Sequence, residues 1–252
     1  MNLPQLINKY QTLGIDTTID FQKFNHISLV HHSTKIEGST LSEVETQVLI
    51  TEGLTPKGKP LRDSLMVTDH FEALKFVLQT AEERPLLSVS FIQQINALVL
   101  KNTGKLYHTP LGVIDASAGA FRKGNVSAGV SYFPNYDKVE RLTQDLVITL
   151  NEQLRKPRSL DERINLAFTA HFRLVGIHPF YDGNGRTSRL LMNYIQAYYK
   201  VPLAIVYNES KAEYIQALID SRAQNDSSIF IEFMVKEYGS MLREEIRKFE
   251  QI

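Results

Sequence analysis

The chain has 252 residues, with 28 Lys and Arg against 28 Asp and Glu, no cysteine and no tryptophan. A length like this can hold one or two domains with a sizeable core, and 43% hydrophobic with 22% charged residues is globular rather than disordered or fibrous composition. Zero net charge argues against a general nucleic-acid or anionic-membrane binder, and the lack of cysteine excludes disulfide frameworks, thiolate metal sites and cysteine nucleophiles.

The opening residues Met1-Asn2-Leu3-Pro4-Gln5 lack the basic-then-apolar layout of a secretory signal. No run reaches the ~20 apolar residues of a membrane helix. The expectation is a cytoplasmic protein with no nucleic-acid or membrane partner. Apolar periodicity then predicts helices over 3–13, 20–37, 41–51, 63–83, 88–101, 138–155, 160–176, 185–199, 211–224 and 229–250. Thr40–Glu43, Asp137–Glu140, Ser159–Glu162 and Ser210–Glu213 have the spacing of capping boxes. Gly14, Gly38, Gly104 and Gly176 read as stops. Gly53-x4-Gly58-Lys59 imitates a phosphate loop, but Pro60 stands where its Ser/Thr would be, and no strand precedes it. Residues 109–136 carry Gly112, Gly119, Gly124 and Gly129 with alternating segments around Gly129, which predicts a β-hairpin or extended flap. The fold class is all-α with a short β-hairpin flap.

Chemistry concentrates in His178-Pro-Phe-Tyr-Asp182-Gly183-Asn184-Gly185-Arg186-Thr-Ser-Arg189. Gly176 and Pro179 close one helix, and a glycine-rich turn opens the next. Such a turn aims free N–H groups and the positive end of the helix dipole at one point, which makes an anion site. Arg186 and Arg189, three apart, can grip phosphate oxygens. Asp182 is a hard oxygen ligand for a Mg²⁺ carried in on a di- or triphosphate. His178 can accept a proton near neutral pH. Each feature alone is commonplace; together in twelve residues they point to phosphoryl or nucleotidyl transfer.

The segment resembles the signature of the Fic family, His-Pro-Phe-x-(Asp/Glu)-Gly-Asn-Gly-Arg-x-x-Arg, and Gly119-Ala-Phe-Arg122 with Val126 to Pro134 is similar to the family's flap. The resemblance spans about residues 86–200. It implies an N-terminal helical region over 1–85, a catalytic core over 86–200 and C-terminal helices over 201–252 packed on it. It further implies protein adenylylation, the transfer of AMP from ATP to a Ser, Thr or Tyr hydroxyl with release of pyrophosphate. In that role His178 is the base, Asp182 holds Mg²⁺, and Gly183, Asn184, Gly185, Arg186 and Arg189 bind ATP. Val126, Ser127, Ala128, Gly129 and Val130 would dock a target protein as an added strand; Tyr214, which reads as core or pocket wall, would by a looser analogy lie near the adenine. Removal of AMP, transfer of another phosphate-containing group, and a nucleotide-sensing module without catalysis stay open as alternatives. So do self-modification and a homo-oligomer.

Ser33-Thr-Lys-Ile-Glu37-Gly38 resembles the family's inhibitory motif. A carboxylate in the last turn of a helix is disfavoured by the dipole and gains from a cation elsewhere. The family precedent supplies Arg189, whose pairing with Glu37 would remove a phosphate ligand. His26, His31, His32 and His171 are assigned to packing or solvent, because no third ligand for zinc accompanies them.

Overall fold

Ten α-helices and two small hairpins make up the computed structural model, which describes residues 1–129, 131–156 and 158–251. The helices are α1 Leu3–Thr12, α2 Ile19–Ile36, α3 Glu43–Glu52, α4 Leu61–Glu83 and α5 Val89–Val99, then α6 Val139–Leu154, α7 Leu160–Ile177, α8 Asn184–Tyr198, α9 Lys211–Ala223 and α10 Ser228–Phe249. Between α5 and α6 lie the antiparallel pair β1 Leu106–Thr109 with β2 Gly112–Asp115, and the pair β3 Ser127–Ala128 with β4 Ser131–Tyr132. The all-α class with a hairpin flap holds. The first hairpin begins before the predicted excursion at 109.

Helix α8 occupies the middle, against α4, α5 and α7, with α2 touching its first turns. Its buried residues include Asn184, Arg186, Thr187, Ser188, Arg189, Asn193 and Gln196. So many buried polar groups in one central helix are costly unless partnered, and they mark the end of α8 that does more than pack. A single apolar core runs from Leu6 on α1 through Ile92, Phe168 and Leu190 to Ile246 on α10. The segments 1–85, 86–200 and 201–252 all contribute to it. No helix among the described residues is long and apolar enough to cross a membrane.

Local signals need several corrections. Of the four expected capping boxes only Ser159–Glu162 forms, with Ser159 accepting from the Glu162 amide and Glu162 from the Ser159 amide. At α3 the cap is Ser42 with Glu45. Asp137 sits inside a 3₁₀ turn over Tyr136–Lys138, and the Ser210 side chain caps nothing. Helix α5 stops at Val99, well before Gly104. Gly176 lies inside α7; the helix ends at Ile177, and His178 adopts the left-handed conformation at φ +53°. A non-glycine residue held there costs on the order of 1 kcal/mol or more, and Arg84, Lys200 and Asn225 are held likewise. The phosphate-loop look-alike is a cap and a turn: Gly53 closes α3, and Lys59 donates to the Thr40 carbonyl.

Candidate active site

The loop between α7 and α8 is built by its own side chains. Asn184 accepts from the Phe180 amide at 3.0 Å and donates to the Phe180 carbonyl at 2.8 Å, so its carboxamide shapes the loop and is committed to it. Phe180 is buried and packs on Phe121. From α5, Asn96 donates to the Asp182 carbonyl and to the Thr187 hydroxyl, at 3.0 and 3.1 Å. Gly183 begins α8 at φ +76°, and a Cβ there would meet Asn96 Nδ2 at 2.8 Å. The turn therefore needs glycine for conformation and for space.

No side chain caps α8, so its first amides point outward as the anion site requires. Arg186 is buried and extends toward Asp182, with Nη2 3.5 Å from Oδ1, and toward the Val99 carbonyl. Arg189 is equally buried but reaches the other way. Its Nε donates to Ser33 Oγ at 2.9 Å, its Nη2 to the Ser33 carbonyl at 3.0 Å and to Glu37 Oε1 at 2.8 Å. Glu37 Oε1 also lies 2.6 Å from where a Cβ on Gly185 would stand. The structure thus brings Ser33, Glu37, Gly185 and Arg189 together, with a carboxylate resting in the mouth of the anion site. Burial pushes the Glu37 carboxyl up, but Arg189, with Arg186 and Lys211 beyond it, outweighs that and holds its pKa below the ordinary value.

Asp182 is half-buried, and its Oδ1 accepts from the Gly183 amide at 2.6 Å. The described residues contain no cluster of three His, Asp or Glu side chains able to hold a metal alone. A single carboxylate such as Asp182 suits a cation that brings further oxygen ligands with it. The His178 pKa is lowered to about 4, chiefly by burial; Arg122 and Arg222 add to this, while the Val175 backbone and Glu37 oppose it. At neutral pH the imidazole is uncharged and able to take a proton.

The flap beside it is short. Ser127 and Ala128 are exposed and pair with Tyr132 and Ser131, Val126 is half-buried and precedes the strand, Gly129 turns at φ +57°, and Val130 lies outside the described residues. Arg122 fastens the flap to the motif loop: it donates to the His178, Gly124 and Pro134 carbonyls. Tyr214 lies in the core, as its reading as core or pocket wall expects, bonded to His171 Nε2 at 2.9 Å and to Arg189 Nη1 at 3.4 Å. His31 and His32 pack inward, toward Thr46 and the Asn208 amide. Sequence reasoning placed Arg122 and Phe133 only within the flap region, and gave no site role to Asn96, Lys211 or Arg222. Each acts through a contact 12 to 175 residues away in the chain, which no local pattern encodes.

Residues 86–196 match the model of the Fic/DOC family. The chain is 30% identical over 196 residues to the protein adenylyltransferase Fic of Drosophila melanogaster, a match covering 77% of this chain and 36% of that protein. The chain thus spans about a third of the length of the curated relatives it matches. Among solved structures, Fic-1 (residues 134–508) of Caenorhabditis elegans superposes with a TM-score of 0.75 at 30% identity, covering 90% of this chain and 64% of that one. A Fic-domain signaling protein of Bacteroides thetaiotaomicron superposes with a TM-score of 0.85 at 24% identity, covering 100% and 98%. The matched segment, residues 86–196, encloses the motif loop, the flap and all but the last two residues of α8, and this part of the chain is a domain of the Fic/DOC family.

Proposed function

We propose that the protein transfers AMP from ATP to a Ser, Thr or Tyr hydroxyl of a target protein, and that Glu37 restrains this activity. The observation that carries the reading is the Glu37 carboxylate against Arg189 and Gly185 at the start of α8. The site attracts an oxyanion, and the one it holds stands where a phosphate of ATP would be gripped. The curated relatives bear the name protein adenylyltransferase, which agrees.

In this reading the outward amides of α8, Arg186 and Arg189 hold the triphosphate. Asp182 would hold a divalent ion entering with it, which would screen the phosphate charge. Neutral His178 takes the proton of the target hydroxyl. The freed oxygen bonds to the α-phosphorus, the bond from that phosphorus to the bridging oxygen breaks, and pyrophosphate leaves. The exposed Ser127–Ala128 edge pairs with an extended stretch of the target, which needs little sequence. The test is transfer of label from α-labelled ATP, with Mg²⁺, by the Glu37→Gly protein to itself or to a lysate protein. His178→Ala in that background should lose it by ~10²-fold or more. Absence of any labelled protein would sink the reading. A second reading has one observation behind it: Glu37, adjacent to the site, could align a water for removing AMP. Wild-type protein incubated with an adenylylated substrate tests that.

A further inference from the structure

Three elements meet at one ring. The His178 imidazole, from the loop after α7, stacks on Phe133 just past β4, with centroids 3.8 Å apart and planes 19° from parallel. The guanidinium carbon of Arg222, on α9, sits 5.3 Å from the same Phe133 centroid. Arg222 also donates to Ser131 Oγ at 2.9 Å, fixing the strand that leads into Phe133. Arg122 holds the Pro134 carbonyl on the other side, together with the carbonyl of His178 itself. Phe133 is therefore pinned from both directions onto the imidazole.

An imidazole acting as a base is ordinarily oriented by a good hydrogen bond at its second nitrogen. Here Nδ1 is buried facing the Val175 backbone without good hydrogen-bond geometry. The broad stacking contact supplies what that bond leaves unfixed: it sets the ring plane and keeps water from one face.

We propose that Phe133 is a positioning residue for His178, coupling the flap that receives the target to the base that receives its proton. This rests on His178 being the base of the proposed transfer. The charged groups that face the ring are Arg122, Arg222 and Glu37, so every variant is compared in one Glu37→Gly background.

In that background Phe133→Ala should lower kcat by about tenfold, a fraction of the general-base contribution, with KM for ATP within about twofold. Water reaching the uncovered ring should move the acid limb of kcat/KM upward, toward the ordinary histidine value near 6.5, by about one pH unit or more. Phe133→Tyr, which keeps the flat ring, should restore both; Phe133→Leu, which keeps bulk without the plane, should restore neither fully. An unchanged acid limb, or a rise in rate as if a cover had been removed, overturns the proposal. The His178 imidazole resonance, titrated in wild type and in Phe133→Ala, reads the same shift without any turnover. If the Glu37→Gly parent labels nothing, the transfer reading fails, and the titration still decides whether Phe133 governs His178.

Discussion

Arg189 spends three of its four hydrogen bonds on α2, two to Ser33 and one to Glu37, and the fourth on Tyr214. Removing the Glu37 carboxylate alone leaves Ser33 and Tyr214 still holding the guanidinium, so Glu37→Gly should free the phosphate position without collapse of Arg189. Glu37→Gln keeps the shape and loses the charge, and labelling by this variant should fall between wild type and Glu37→Gly. Because its pKa is depressed from 4.5, the Glu37 contact with Arg189 is fully present above that value and weakens only as pH falls through the lowered one. The basal rate of wild type should therefore be flat from pH 6 to 8; a rise within that window would put the restraint on a histidine instead. Gly185→Ala adds a methyl 2.6 Å from Glu37 Oε1 and 3.2 Å from Arg189 Nη1. In the Glu37→Gly background it should weaken ATP binding by about tenfold or more, read by calorimetry, since the intruding carbon takes phosphate space.

At the scale of elements, the helices were legible from apolar residues repeated at helical spacing, most clearly in α1, α5, α6, α8 and α10, and the limits of all ten fall within about two residues of expectation. The caps were less legible, for reasons outside the local string. Thr40 is claimed by Asp63 of α4, which accepts from both its amide and its hydroxyl, so the N-cap moves to Ser42. Ser210 turns its hydroxyl toward Glu237 on α10, to which it donates, and its oxygen accepts from no amide of its own helix. Helix α2 ends under similar outside control: Lys211 of α9 donates to the Ile36 carbonyl at 2.6 Å, satisfying the last turn beside Glu37. Lys211→Ala should loosen that end, remove one of the cations that act on Glu37, and raise basal labelling several-fold with both residues of the ion pair unchanged. Ser42→Ala should cost about 1 kcal/mol of unfolding free energy and leave labelling as it was.

Across the whole molecule the α2 helix is held by the same core as the motif, for one apolar cluster joins α1, α2, α7, α8 and α10. Phe168, fully buried and edge-on to Tyr238, ties α7 to α10. Its replacement by Ala should cost ~3–5 kcal/mol and lower Tm by roughly 10 °C, in one transition rather than two; a split melting curve would show separate units. What the sequence by itself determined is the helical class, the turn from His178 to Gly185 that opens α8, and the chemical types gathered there, because periodicity and glycine turns are local. Only the tertiary structure decided that Glu37, which the family resemblance alone had put forward, meets Arg189, and which groups surround His178. Glu37 and Arg189 are 152 residues apart, and Arg122 reaches the His178 carbonyl across 56. Contacts of that span follow from how helices pack, and packing depends on the whole surface of each element rather than on any motif within it.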